Sequence, residues 1–420
     1  LKLVGLNGVS QTIIYQSRNF VTDSVLDVPA SASNFSALKY ELRVEDKITQ
    51  TPPQINFWHL YYEILPDFAF APNHYQFIPS DSLLRGEEFI FELAYANSSP
   101  QASDSILLNY SLFASNGIRV LDVDTMLAPL QGYEYDSLRL NLSTASLSGS
   151  YRLLLELNPN NDQAEEYSFN NLAEYNFKVA GDNAKPLLDV TFDGRRIMNR
   201  ELVSANPEIV IQLEDDNQFL ALDDTSAFSI FLRRPDGQEE LVNFSQNDRL
   251  IFSPASLPEN KARVLYQPNL AADGVYRLRI QARDKSGNAS SQTDYAIEFE
   301  VVNRSTVSYL LNYPNPFSTS TRFVFTLTGS RVPDQIQIQI MTVTGKVVKN
   351  IDQFELGPIH IGKNITEYAW DGKDEFGDQL ANGVYLYTVK MRIDGNNIEH
   401  RNSSADKYFT KEFGKMYLLR

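Results

Sequence analysis

The sequence predicts an all-β chain built from tandem β-sandwich modules. Aromatic residues are abundant, with 22 Tyr and 25 Phe, and 20 Gly with 19 Pro supply turn formers between them. Segment after segment alternates apolar and polar residues with period two, as half-buried strands require, and no stretch sustains a helical period. One short phrase also recurs at intervals the length of a sandwich domain.

That phrase is LSGSY at Leu147–Tyr151 followed by RLLLEL, LAADGVY at Leu270–Tyr276 followed by RLRIQAR, and LANGVY at Leu380–Tyr385 followed by LYTVKM. Each is a Leu, a small polar turn with Gly, and a Tyr opening an alternating strand. The Gly suits a turn with φ > 0. The Tyr and every second residue after it should face a core. Gly149 and Gly274 lie 125 residues apart, and Gly274 and Gly383 lie 109 apart. Three sandwich modules, each reaching a late core strand through the same turn, account for this spacing.

Boundaries follow from composition. Residues 1–66 hold two strands, from Leu38 (LKYELRVE) and from Ile55 (INFWHLYYEI), joined by a TQTPP turn, and read as the end of a truncated jelly-roll or sandwich domain. Residues 67–180 hold FIFELAYAN from Phe89, SILLNYSLF from Ser105, SLRLNLS from Ser137 and the strand from Tyr151. The stretch AGDNAKP from Ala180 to Pro186 is a linker by composition. Residues 181–305 hold strands from Leu188, Glu208, Ser229, Tyr276 and Tyr295, and residues 306–420 form the last module. The chain opens on Leu1 and reads at once as a strand, LKLVGL, so we expect a C-terminal piece of a longer protein whose targeting signal lies upstream.

Charged residues are 21% and hydrophobic residues 43% of the chain, which suits folded domains. No run of 18 apolar residues occurs, so no membrane-spanning helix and no direct membrane insertion are expected. The net charge is −16, and it is unevenly placed: residues 306–420 carry 13 Lys/Arg against 12 Asp/Glu. The acidic remainder disfavours nucleic acid as a partner.

Cysteine is absent, which removes disulfides, thiolate nucleophiles and Cys-ligated zinc. His59, His74, His360 and His400 are not at metal-ligand spacing, and no nucleophile elbow, phosphate loop or dinucleotide fingerprint occurs. We therefore expect no catalytic site and no cofactor in this segment. Two acidic clusters invite a test for calcium, which takes six to eight oxygens. One holds Glu214, Asp215, Asp216, Asn217, Asp223 and Asp224. The other holds Asp371, Asp374, Glu375 and Asp378. Neither has the EF-hand spacing (with Asp371 as position one, Lys373 takes position three), so solvated turns are the expected account, with Asp215, Asp216, Asp223 and Asp224 as weak candidates.

The last module carries motifs of a known kind. LNYPNPFSTSTRF runs from Leu311 to Phe323, with Tyr313, Pro314, Asn315, Pro316 and Phe317 at its centre. A strand–turn–strand follows at Gln335–Val348. WDGKDEFG runs from Trp370 through Asp371 and Gly372 to Gly377. ANGVYLY carries Gly383 and Tyr385. The chain ends on Gly414, Lys415, Met416, Tyr417, Leu418, Leu419 and Arg420. Together and in this order they resemble the C-terminal sorting domains of bacterial type IX secretion cargo. The prolines should hold an extended entry that cannot slip into a ladder. Trp370 should anchor the core. The resemblance implies recognition of the last module by the type IX translocon and a PorV-type outer-membrane shuttle. An exposed edge on the strand Lys415–Arg420 would suit main-chain reading.

Upstream, the Asn-rich run from Asn158 to Asn171 resembles the end of a CARDB-like adhesion module. LDVTFDG from Leu188 and DKSGN from Asp284 resemble an immunoglobulin-like module. With TPPQINFW from Thr51 in front, this order is similar to the C-terminal half of long PorU-type, gingipain-family sortases. In that family a Cys-His peptidase lies upstream, and no residue of it is present here. The resemblance implies a cell-surface, outer-membrane-associated location. A carbohydrate-binding adhesin with surface glycans as ligands is the alternative expectation.

Overall fold

The computed structural model describes residues 1–17, 25, 27–51, 59, 61–246, 248–401, 409–410 and 413–420. Strands dominate it. Helical structure among the described residues is confined to short 3-10 turns such as Ala30–Asn34 and Gln353–Glu355, and none is long and apolar enough to cross a membrane. The chain divides into two compact units, Leu1–Ile64 and Leu65–Arg420.

The first unit is a three-stranded antiparallel sheet. Lys2–Asn7 is central, between Ser10–Gln16 and Ala37–Glu41. Leu3 and Val4 are buried. The strand expected from Leu38 through Glu45 stops at Glu41, because its partner ends there: Glu41 pairs with Lys2, the last residue of the central strand on that side. Most of the expected strand from Ile55, and the PPQINFW run, lie outside the described residues.

The second unit stacks three β-sandwiches, each around its own apolar cluster. In the first, the sheet of Tyr135–Ser143, Glu88–Asn97 and Phe68–Phe70 packs on the sheet of Ser82–Leu84, Leu172–Ala180, Gly149–Leu157, Ile106–Ala114 and Arg119–Leu127. The second pairs Leu187–Phe192, Ile209–Glu214, Lys261–Tyr266 and Leu250–Ser253 against Glu201–Val203, Tyr295–Val301, Gly274–Ala282, Phe228–Arg233 and Glu239–Leu241. The third sets Gly362–Ile365, Arg322–Thr328, Thr306–Tyr313 and Glu399–His400 against Val347–Asp352, Gln335–Thr342, Gly383–Ile393 and Phe413–Leu418. Period-two sequences face inward as their pattern requires: Tyr151, Leu153, Leu155 and Leu157 are all buried.

The recurrent phrase has a physical basis. Each Tyr hydroxyl donates back to a carbonyl of the turn before it, Tyr151 to Ser148 O at 3.2 Å, Tyr276 to Ala272 O at 3.0 Å and Tyr385 to Ala381 O at 2.8 Å. This is the arrangement of a tyrosine corner, which fixes how the chain enters the late strand. The ring enters the core while its oxygen keeps a partner, so the buried phenol costs little. The expected φ > 0 holds at Gly149 (101°) and Gly274 (132°). It does not hold at Gly383, although all three glycines open their strands in the same register.

The strand that closes each sandwich repeats the same register. Gly149 pairs with Val179 and Tyr151 with Phe177; Gly274 pairs with Val301 and Tyr276 with Phe299; Gly383 pairs with Leu418 and Tyr385 with Met416. On its outer side each closing strand meets a parallel neighbour at the matching residue: Leu83 beside Val179, Val203 beside Val301, Phe317 beside Leu418.

Candidate functional site

The last seven residues are where the sequence motifs of the final module meet. Alternation in Phe413–Leu418 buries Gly414, Met416 and Leu418 and leaves Phe413, Lys415 and Tyr417 exposed, with Leu419 exposed beyond the strand. Gly414 is dictated by its cross-strand partner. A Cβ there would stand 2.0 Å from Cζ of Tyr387, whose buried ring packs against it. Glycine lets the ring approach the backbone.

The YPNPF segment clasps this strand from outside. Asn315 Nδ2 donates to Lys415 O at 2.8 Å, and Tyr417 N donates to Asn315 Oδ1 at 3.0 Å. Phe317 N donates to Tyr417 O at 3.0 Å, and Leu419 N donates to Phe317 O at 2.9 Å. Asn315 is itself steadied by Asn312 Oδ1 at 3.1 Å, and Thr321 bonds Pro314 O at 2.8 Å. Two sequence expectations are corrected here. The lead-in bends at residues 314–316 rather than running extended. The edge of the terminal strand is also taken from Lys415 O through Tyr417 to Leu419 N, since these outward groups are bonded to Asn315 and Phe317.

The other two motifs hold the chain end. Asn382, in the ANG turn, accepts from Arg420 N at 2.9 Å and donates to Arg420 O at 3.1 Å. The Arg420 guanidinium donates to Asp371 O, and a Cβ on Gly372 would stand 2.8 Å from Arg420 Nη2. Trp370 is fully buried, donates Nε1–H to Lys373 O at 2.8 Å, and packs on Phe317 and Tyr385 at 5.6 and 5.8 Å between ring centres. Burial pushes the Tyr385 phenol up, against a smaller opposing pull from Arg420. Gly377 closes the turn begun at Asp374. Tyr313, although in the motif, points its ring to solvent.

The acidic clusters separate. Asp371 pairs with Lys373, Asp374 accepts from the amides of Phe376 and Asp378, and Glu375 accepts from Asn350 N. Of the first cluster, Asp223 pairs with Lys285 at 2.6 Å and Asp224 caps the 3-10 turn Thr225–Ala227 through Ser226 N at 2.7 Å, while Asp216 is exposed. Asp215 instead turns inward and meets Asp182 and Asp284. Sequence reasoning missed those two partners, because one lies in the linker and the other in the DKSGN loop. It also missed Asn382 as the residue gripping the terminus.

No protein-family model and no curated protein matches the chain. Among solved structures, it is similar to the CARDB domain of a Pyrococcus furiosus protein in complex with di-metal ions, at 18% identity and TM-score 0.23, over 29% of this chain and 98% of that one. It is similar to dimeric latent PorU from Porphyromonas gingivalis, at 13% identity and TM-score 0.24, over 85% of this chain and 34% of that one. It is also similar to red sea bream transglutaminase, at 10% identity and TM-score 0.22, over 58% of this chain and 32% of that one. The chain thus spans about a third of PorU and of the transglutaminase. At these identities and TM-scores the likenesses decide nothing, and the β-sandwich architecture rests on the sheets themselves.

Proposed function

We propose that residues 306–420 form a type IX sorting module at the end of a cell-surface protein. Residues 67–180 and 181–305 would serve as CARDB-like and immunoglobulin-like stalk modules, behind the end of a further β domain at 1–66. The parent would be a PorU-type sortase or a related gingipain-family surface protein, with any peptidase upstream of Leu1. The supporting observation is convergence: YPNPF, WDG, ANG and the terminal GKMYLLR, far apart in sequence, bond to one another around the last strand.

Because the strand edge is taken, the translocon and the PorV-type shuttle would read side chains. Lys415, Tyr417 and Leu419 project from the outer face beside exposed Val384, and offer one cation flanked by apolar groups. This patch is the kind of surface a partner covers.

The test is secretion in a type IX-competent host. Deleting 414–420 should abolish surface delivery. The triple change Lys415→Glu, Tyr417→Ala, Leu419→Ala should do the same with Met416 and Leu418 left in the core and the fold intact by circular dichroism. Normal surface delivery of the deletion would sink the sorting role. Normal delivery of the folded triple variant alone would sink the side-chain face.

A further inference from the structure

Asp182, Asp215 and Asp284 arrive from three parts of the fold: the linker between the first two sandwiches, the residue after strand Ile209–Glu214, and the loop after strand Gly274–Ala282. One carboxylate oxygen from each lies within 4.8 Å of the others. Asp215 and Asp284 are each only 7% exposed, and Asp182 is half-buried. Like charges gathered this closely away from water repel strongly unless something positive joins them.

Among the described residues, no lysine, arginine or histidine pairs with any of the three. Lys285, the neighbour of Asp284, turns away to Asp223. Burial, then Asp182, Asp284 and Asp216, push the Asp215 carboxyl up to about 6. The surrounding polar groups satisfy part of the trio. Ser286 Oγ and Asn217 Nδ2 donate to Asp182, Asn288 donates to Asp284 through both its amides, and Asn260 Nδ2 reaches Asp215 Oδ2 at 3.3 Å. Asp215 Oδ1 is left buried with no hydrogen-bond partner. A buried, unbonded carboxylate oxygen beside two further carboxylates is a costly arrangement.

We propose that Asp182, Asp215 and Asp284 bind a calcium ion that locks the linker onto the second sandwich. The donor set is all oxygen, with no His or Cys, which selects a hard cation, and three carboxylates from separate segments suit calcium's tolerant geometry better than magnesium's strict octahedron. The position gives the ion a mechanical role. Asn217, two residues from Asp215, also donates to Arg85 O of the first sandwich at 3.1 Å, so the loop that would hold the ion also touches the preceding module. Calcium would stiffen the joint between two stalk modules.

The test uses the 420-residue chain stripped with EDTA, titrated with calcium by calorimetry, with thermal unfolding followed in parallel. Saturable binding at or below roughly millimolar calcium is expected, with a higher Tm and a smaller effect of magnesium. Asp215→Asn and Asp182→Asn should each weaken binding at least tenfold, while exposed Asp216→Asn retains it. Asp182 lies outside both sandwich cores, so its variant tests the site even where Asp215→Asn fails to fold. The proposal is overturned by wild-type chain that gives neither heat nor a Tm shift, by a response undiminished in Asp182→Asn and any folded Asp215→Asn, or by a magnesium response equal to calcium's.

Discussion

Gly414 and Tyr387 show how one residue type at the terminus serves the fold first. The Tyr387 ring occupies the place where a side chain at 414 would stand, and Tyr387 is itself locked against Phe323 at 5.2 Å in the core. The ring has nowhere to go without opening the sandwich. Gly414→Ala should therefore cost about 1–3 kcal/mol, the usual range for overpacking a tight core. Urea unfolding of the full chain measures it, and a loss below about 0.5 kcal/mol would mean that Tyr387 yields easily. A Gly at this position is thus explained without any receptor. Lys415, Tyr417 and Leu419 are exposed and not held by the core, so they are the residues on which the proposed sorting role depends.

At the scale of elements, the terminal strand is the third copy of one device: a closing strand paired with the tyrosine-corner strand and covered by a short parallel neighbour. In the first two copies the neighbour is a real strand, Ser82–Leu84 or Glu201–Val203. In the third it shrinks to Phe317, and the Asn315 side chain supplies the missing backbone bonds. Asn315→Ala should leave Lys415 O and Tyr417 N to water and speed exchange of the Tyr417 amide, while buried amides of Gly383–Ile393 keep their protection. Hydrogen exchange read by NMR checks this, and an unchanged Tyr417 rate would show that Phe317 alone seals the edge. The same comparison explains what the sequence made legible. Long strands with period two, such as Gly149–Leu157 and Gly274–Ala282, announce themselves because one face is fully buried. Arg119–Leu127 and Lys261–Tyr266 are harder to read: the first is an edge strand with no fully buried side chain, and the second has only six residues. Three-residue strands such as Ser82–Leu84 carry no period at all, and their pairing is decided by tertiary contact. The motifs of the terminal clasp could be read one by one, but not their contact, because it joins residues about a hundred positions apart. Asp215 was legible as an acidic residue and illegible as a site for the same reason.

At the scale of the whole second unit, the joint between the second and third sandwiches is polar and carries a titratable group. Ser204 Oγ donates to Ser330 O at 2.8 Å, and Arg195, paired with Glu201, donates to Ile361 O at 3.3 Å. His360 sits in this joint, half-buried. Burial first, and the Arg195 guanidinium second, hold its imidazole below the ordinary 6.5; the Lys363 backbone, Glu201 and Asp193 oppose them more weakly. The folded chain thus favours neutral His360, and the unfolded chain takes up the proton first. Stability should be intact above pH 6.5 and fall as pH drops through the depressed folded value. Asp193 works the other way. Burial raises its carboxyl above the usual 3.8, so it adds stability only at lower pH, as it becomes protonated. His360→Gln, which keeps a polar group of similar reach without the proton, should flatten the decline just below pH 6.5 and leave stability at pH 8 little changed. Urea midpoints at both pH values measure the difference. A wild-type decline that persists unaltered in His360→Gln would place the acid sensitivity elsewhere and leave this joint indifferent to pH.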